Sequence, residues 1–183
     1  MFPDPPGDRL AVFGPRRWLV ELMEVDMMTW ILLVAGLLMA LISGVFLSFS
    51  DFVMRGLAQA PGTAGAAGMI GLNRTVYKSI FMVLFIVLVL GSIALALLAY
   101  WQLDGAALSL VVAGTLSYLV GVLAVTGFGN IPMNNRLDAT SERSGDMAIY
   151  WADYAKRWTR LNHIRTAASA FAAFSWLIVT NLL

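Results

Sequence analysis

The side chains with the widest scope for chemistry lie in one short stretch near the C-terminus. His163, the only histidine, follows Asn162 and precedes Arg165, and Tyr154 and Trp158 come shortly before it. Imidazole has an unperturbed pKa of about 6.5, so it can take or give a proton near neutral pH. We therefore expect any acid–base chemistry of this chain to use His163.

A second set of polar residues stands at the ends of two apolar segments. Asn73 and Arg74 precede one segment, and Asn130 and Asn134 follow another. If both connections emerge on one side of a membrane, these residues gather around His163 at one rim of a helical bundle. Polar groups near hydrocarbon are costly unless paired, so they should hydrogen-bond one another or a ligand. Taken singly, each also has a structural interpretation, such as an arginine reaching lipid headgroups or an asparagine ending a helix.

The composition narrows the choice of cofactor. With one histidine and no cysteine, the chain lacks the ligands for a zinc site of three or four side chains. Haem with two axial histidines is excluded within one chain, whereas a single-histidine haem remains open. No glycine-rich phosphate loop or nucleophile elbow is present. We therefore predict no metal and no cofactor, and the net charge of +1 gives no reason to expect a nucleic-acid partner.

The elements that must position these residues are four apolar runs. Each is close to the roughly 20 residues that cross a ~30 Å hydrocarbon core as a helix, and none carries a charge at its centre. The first run is too long for a signal peptide, and no small-residue cleavage pattern follows it. We predict an all-α integral membrane four-helix bundle over residues 27–183. The predicted spans are 28–49, 80–101, 106–128 and 166–182.

The stretches before and after the first span have their own signals. Residues 1–26 are rich in proline and glycine and are predicted to form a poorly ordered tail. After span one, Pro61 and Gly62 break the chain. Apolar residues then recur at helical spacing up to Asn73, which predicts a short helix lying at the membrane interface.

The connection before the fourth span contains a turn and a second amphipathic helix. Pro132 disfavours helix at Ile131, so span three should end there, with a turn over 130–135 and a loop over 138–145. A helix should begin near Asp146 and run into span four. Its aromatic stripe is predicted to lie in the interfacial belt, with the helix either projecting from the membrane or bending along it. The stripe comprises Trp151, Tyr154, Trp158 and Leu161.

The placement of charge predicts the orientation. Nine of the twelve basic residues lie in the connections between spans one and two and between spans three and four. The positive-inside rule then places both long connections in the cytoplasm and both termini outside, most simply in a plasma (inner) membrane. Gly36, Ala40 and Gly44 recur four residues apart, a spacing typical of close helix packing and compatible with a homo-oligomer.

From residue 30 to the C-terminus the chain resembles the anthrone oxygenase-like family of small four-span membrane proteins. The resemblance is carried by GVFLSFSDFVM at 44–54, LNR at 72–74, GVLAVT at 121–126 and NIPMN at 130–134. It ends in a motif in which Tyr154, Trp158, Asn162, His163, Arg165 and Thr166 recur at fixed spacing. Asp51 departs from the pattern, since a neutral residue is expected after the Phe-Ser pair.

The resemblance implies an oxidoreductase of the monooxygenase kind, which takes an anthrone to an anthraquinone with molecular oxygen. His163 could then act as the base, and Arg165 or Arg74 could stabilise the enolate oxygen. The amides of Asn73, Asn130, Asn134 and Asn162 could orient the substrate, with Tyr154 and Trp158 as flat surfaces.

Two other functions stay open at this point. The first is a non-catalytic membrane protein that binds a lipid, a quinone or a partner at the same rim. A transporter or channel is disfavoured, because no span has a charge at mid-membrane and no inverted repeat is visible.

Overall fold

Seven α-helices make up the described part of the protein. The computed structural model describes the backbone of residues 15–140 and 146–183, and side chains within 27–140 and 146–183. In this part of the chain no strand occurs. The helices are α1 (Pro15–Ser48), α2 (Met54–Ala58), α3 (Ala64–Val76), α4 (Ile80–Gln102), α5 (Gly105–Tyr118), α6 (Ile131–Ala139) and α7 (Asp146–Val179). Wider π-helical turns at Phe49–Val53, Leu119–Ala124 and Thr126–Asn130 join α1 to α2 and α5 to α6.

Three helical stretches are long and apolar enough to cross a membrane. They are Met27–Ala58, Ile80–Gln102 and Gly105–Ala139, and they contain the first three predicted spans. The described part of the chain is therefore all-helical, and these stretches identify an integral membrane protein. The fourth predicted span, 166–182, is not among these stretches and stays a prediction.

The sequence predicted that the helix containing span three ends at Ile131. In the structure the helix continues past this residue. Ile131 keeps right-handed helical angles in front of Pro132, and α6 continues to Ala139. The predicted turn over 130–135 is therefore wrong. The physical reason is that proline is tolerated in the first turn of a helix, where its missing N–H has no partner to lose. The π-helical turns before α6 give Pro132 such a first-turn position.

The predicted short helix after span one exists as α3, but its surroundings differ from the prediction. Its apolar face, including Ala66, Met69 and Ile70, is buried against Leu137 of α6 and Trp151 of α7. The apolar side of α3 therefore covers other helices, and it is not free to lie on lipid.

Helix α7 begins at Asp146, as predicted, and runs without a break for 34 residues, about 51 Å at 1.5 Å per residue. Trp151, Tyr154 and Trp158 are buried, whereas Lys156 and Arg157 are exposed. The amphipathic pattern is therefore confirmed. The aromatic rings face α3 and α6, so the predicted interfacial belt is wrong for them.

The C-terminal half of α7 packs between α1 and α5. Ser43 donates to the Thr166 carbonyl at 3.2 Å, and Ser117 donates to the Ala168 carbonyl at 3.1 Å. Glycines at the contacts permit this approach: a Cβ on Gly121 would lie 2.4 Å from the Ala168 Cβ. On α1 the predicted small-residue row makes contact only at Gly36, since Ala40 and Gly44 are exposed.

Residues 1–14 of the predicted tail and 141–145 of a predicted loop fall outside the described residues, whereas the backbone of 15–26 is helical. The side chains before residue 27 are not described either. Helix α1 begins at Pro15, ahead of the predicted first span.

Candidate functional site

A cavity of about 280 Å³ lies at the end of the bundle where the two long connections meet. Helices α1, α3, α4, α6 and α7 all contribute to its wall, which is mainly apolar. Its polar lining is Asn73, Thr75, Tyr77, Ser79, Thr126, Asn130, Asn134, Asn162 and Arg165. Its apolar lining is Val45, Phe46, Phe49, Met69, Leu72, Val76, Phe81, Met82, Phe85, Ile131 and Trp158.

Arg165 supplies the cavity with a buried cation. Its residue is 6% exposed, and its guanidinium carbon lies 4.6 Å from the ring centre of Phe46 and 5.0 Å from that of Trp158. Nη2 donates to Asn162 Oδ1 at 2.6 Å, and Nη1 donates to Thr126 Oγ1 at 3.4 Å. No ion pair joins it to a carboxylate within 27–140 and 146–183. Among the described residues, its charge is therefore balanced only by amide, hydroxyl and aromatic groups.

Asn162 holds Arg165 in this orientation. It is fully buried, and its amide nitrogen donates to the Phe46 carbonyl and to Ser50 Oγ, both at 2.6 Å. With both amide hydrogens committed to α1 and its π-helical turn, the oxygen accepts the bond from Arg165. Asn162 therefore connects α1 to the guanidinium and has no donor left for a ligand.

A second cluster of polar side chains links α7 to α6 and α3 by hydrogen bonds. Tyr154 donates to Asn134 Oδ1 at 2.8 Å, and Trp158 Nε1 donates to the same oxygen at 3.0 Å. Asn73 donates to the Tyr154 hydroxyl at 3.5 Å. Burial raises the pKa of Tyr154, so its phenol remains a hydrogen-bond donor at physiological pH.

Asn130 lies one helical turn before Asn134 in the sequence and is 1% exposed. Its Nδ2 donates to the Trp158 carbonyl at 3.4 Å, while its Oδ1 has no partner in the structure. The Nε of Arg165 is likewise buried without a partner. Unpartnered buried polar atoms are unusual and call for an explanation at each position.

Two of the π-helical turns place these groups. The turn Phe49–Val53 brings Ser50 inward to Asn162, and the turn Thr126–Asn130 brings Thr126 and Asn130 to the cavity. A π-helical turn shifts the side chains that follow it relative to a regular α-helix, and such turns are frequent at functional sites.

His163 lies outside this arrangement. It is exposed on a different face of α7 from Asn162 and Arg165 and does not line the cavity. Residues 162 and 165 are three apart and share a face of the helix, whereas 163 is turned away by about 100°. The expectation that His163 joins the polar cluster is therefore wrong in its placement.

Arg74 is also outside the cavity. It pairs with Asp138 of α6 at 2.7 Å, with 71% of its side chain exposed, and so fastens α3 to α6. Asp51 forms an exposed ion pair with Arg55 and does not reach the cavity.

The other predicted site residues do converge. Asn73, Asn130, Asn134, Trp158, Asn162 and Arg165 all line the cavity, and Tyr154 hydrogen-bonds two of them. Phe46, Ser50 and Thr126 were not predicted as site residues, although they lie in the segments 44–54 and 121–126. The signal that could have found Phe46 and Ser50 is their spacing of four residues, which places both on one helical face.

The fold and the cavity define a helical membrane protein with a polar-ended apolar pocket at one end of the bundle. A family model described as anthrone oxygenase matches residues 73–175, more than half of the chain. The protein thus belongs to the anthrone oxygenase family. No curated protein and no solved structure matches it.

Proposed function

We propose that this protein oxidises a planar, hydrophobic, anthrone-like substrate with molecular oxygen inside the cavity. The observation that carries the proposal is the buried guanidinium of Arg165, which faces an apolar pocket without an acidic partner among the described residues. A cation in such surroundings stabilises a negative charge that develops beside it far more than it would in water.

The walls of the cavity suit a flat aromatic ligand. Phe46, Phe49, Phe81 and Trp158 line it, and aromatic rings stack well on one another. Its volume of about 280 Å³ is close to the ~300 Å³ at which pockets for drug-sized ligands begin. A polycycle of a few fused rings would leave little room for water.

The chemistry needs the protein mainly to stabilise an anion. Loss of a proton, from the activated methylene of an anthrone or from the hydroxyl of its enol tautomer, gives an enolate, whose oxygen would accept a hydrogen bond from Arg165. The enolate carbon bonds to one oxygen atom of O₂, and the terminal oxygen takes a proton. Loss of the remaining C–H proton with cleavage of the O–O bond releases water and leaves a second carbonyl. An anthrone and O₂ thereby give an anthraquinone and water.

The proton acceptor is better assigned to water than to His163. Aspartate, glutamate and histidine do not occur among the residues that line the cavity in the described part of the chain. The wall includes the exposed residues Leu72, Thr75 and Tyr77, so the cavity communicates with the surface. A proton could leave there once Arg165 has lowered the basicity of the enolate oxygen.

The test is turnover of an anthrone by protein in lipid nanodiscs, followed by anthraquinone absorbance and oxygen uptake. Arg165→Met should lower kcat about 100-fold or more, the usual effect of losing a donor to a developing oxyanion. Arg160→Met, an exposed arginine on the same helix, and His163→Ala should both keep the wild-type rate. Empty nanodiscs measure spontaneous oxidation of the anthrone.

Unchanged turnover by Arg165→Met would overturn the assignment of the anion site. Loss of turnover in His163→Ala, with a normal melting temperature, would return the base to His163. Arg165→Lys separates charge from geometry, because it keeps the cation but loses the planar fork held by Asn162.

A second candidate is binding without turnover. The observation that favours it is that the described lining residues include no aspartate, glutamate or histidine that could act as a base. A quinone or other ketone could accept from Arg165 and remain unchanged. Co-purification of such a molecule, with no oxygen uptake in the assay above, would support this function over catalysis.

We also propose that residues 166–182 form a fourth span, which completes a four-helix bundle. Contacts of α7 with α1 and α5 run from Thr166 to Leu177, so this half lies beside two membrane-capable helices. Ser169 and Ser175 lower its apolar content but are buried inside the bundle. With this fourth span and the positive-inside rule, the cavity lies on the cytoplasmic side of an inner membrane and both termini lie outside.

A further inference from the structure

We infer that the cavity selects an aromatic ligand that carries a neutral hydroxyl group, a phenol or an enol, which Arg165 and Asn130 hold together. The hydroxyl oxygen accepts a hydrogen bond from Nε of Arg165, and the hydroxyl group donates a hydrogen bond to Oδ1 of Asn130. The inference rests on the proposed function only in placing an aromatic molecule in the cavity.

The first argument is the pair of unpartnered atoms. Oδ1 of Asn130 and Nε of Arg165 both belong to cavity-lining residues that are more than nine-tenths buried, and neither atom has a partner in the structure. One is an acceptor and the other is a donor. Leaving such an atom unsatisfied costs about 1–3 kcal/mol each, so a ligand that satisfies both gains from both.

The second argument is that neither residue can turn to satisfy itself. Nδ2 of Asn130 donates to the Trp158 carbonyl, and exchanging the amide ends would place Oδ1 against that carbonyl oxygen. The two outer nitrogens of Arg165 are held by Asn162 and Thr126, so Nε stays aimed where it is.

A hydroxyl group is the ligand chemistry that matches this pair. A ketone, quinone or ether oxygen can only accept hydrogen bonds. It would therefore accept from Arg165 and leave Oδ1 of Asn130 without a donor. A hydroxyl both donates and accepts. The same pair would disfavour a ligand that arrives as an anion, because Oδ1 would then face a negative oxygen.

For an anthrone this means that the enol tautomer is the form that binds. In the enol, the proton of the activated methylene has already moved from carbon to oxygen. The cavity then needs no group to take a proton from carbon, which accounts for a lining without carboxylate or imidazole in the described chain.

The test compares 2-hydroxyanthracene with 2-methoxyanthracene. In the methoxy compound a methyl group replaces the hydroxyl hydrogen that would form the hydrogen bond to Asn130. Binding to the full chain in nanodiscs is followed by ligand fluorescence and corrected for partition into empty nanodiscs. The wild type should bind the hydroxyl compound roughly tenfold tighter, because the methoxy compound leaves one buried acceptor without a hydrogen bond. Asn130→Leu should bring this ratio close to one, and Asn135→Leu, at an exposed asparagine, should leave it unchanged.

Equal affinities of wild type for the two compounds would overturn the inference, and so would an unchanged ratio in a folded Asn130→Leu variant. If that variant fails to fold, the wild-type ratio decides alone. Neither compound has an activated methylene, so the result is independent of turnover. A chain that oxidises anthrone but shows no hydroxyl preference would retain the proposed function and lose this inference.

Discussion

One face of α7 is buried at the end of the bundle that holds the cavity. This face carries Trp151, Tyr154, Trp158, Asn162 and Arg165. The spacing of three or four residues along this face follows the helical repeat. Extending the aromatic stripe past Trp158 on the sequence would have placed Asn162 and Arg165 inside and His163 outside. The sequence could therefore identify the segment that carries the site, and the helical repeat decides which of its side chains take part.

Asn162 is the residue whose removal should disturb the most. Asn162→Ala leaves Ser50 Oγ, the Phe46 carbonyl and Nη2 of Arg165 without their partner. We expect a loss of about 2–4 kcal/mol in stability, since each buried group left unsatisfied costs about 1–3 kcal/mol. Thermal unfolding in detergent measures this.

The matched control is Asn135→Ala, which removes the same side chain from an exposed position. It should shift the melting temperature little, because surface substitutions usually stay within about 0.5 kcal/mol. Equal shifts for the two variants would contradict the role given to Asn162.

At the scale of elements, the tight contact of α7 with the π-helical turn Leu119–Ala124, which follows α5, depends on a missing side chain. A Cβ on Gly121 would lie 2.4 Å from the Ala168 Cβ, so Gly121→Ala must push the helices apart. We expect a loss of about 1–3 kcal/mol, the usual effect of overpacking. Unfolding of the purified protein by heat or denaturant gives the value.

Gly44→Ala tests the same substitution where it meets nothing. No atom lies within 4 Å of an added Cβ at this position on α1, so the higher helix propensity of alanine should leave stability unchanged or raise it by up to about 1 kcal/mol. A destabilised Gly44→Ala would instead reveal a contact of this face with another chain.

Long apolar runs made the membrane helices predictable from the sequence, whereas a single proline did not predict where a helix ends. The apolar runs at 28–49, 80–101 and 106–128 could be found because some twenty apolar residues leave few alternatives. The end of the third helix could not be predicted, because a residue before proline, here Ile131, ordinarily disfavours helical angles. A π-helical turn upstream, which no short motif announces, gives that proline an acceptable position.

At the scale of the molecule, single cysteines can report on the arrangement in the membrane, since the natural chain has none. With four spans, an impermeant maleimide should label Asp104→Cys and Asn181→Cys from outside in spheroplasts. Lys78→Cys should react only after permeabilisation. All three positions are exposed.

The pattern separates the alternatives. Labelling of Lys78→Cys and Asn181→Cys together, opposite to Asp104→Cys, would mean three spans. Labelling of Lys78→Cys alone from outside would keep four spans and invert the orientation.

The meeting of Asn73, Asn130, Asn134 and Asn162 at one end of the molecule could be predicted, because connections on either side of a helical hairpin return to the same face. Their partners could not. Which carbonyl or hydroxyl each amide meets depends on helix rotation and on close approaches such as that at Gly121.

If the proposed function holds, the exposed edge of the cavity wall at Leu72 and Tyr77 lets a hydrophobic substrate reach the cavity from lipid. A hydrophobic polycycle dissolves in the bilayer, so occupancy would follow its number per unit of membrane area. Adding lipid at constant total ligand would dilute the ligand in two dimensions and empty the cavity. The relevant concentration is therefore a mole fraction in lipid, and water acts only as a reservoir.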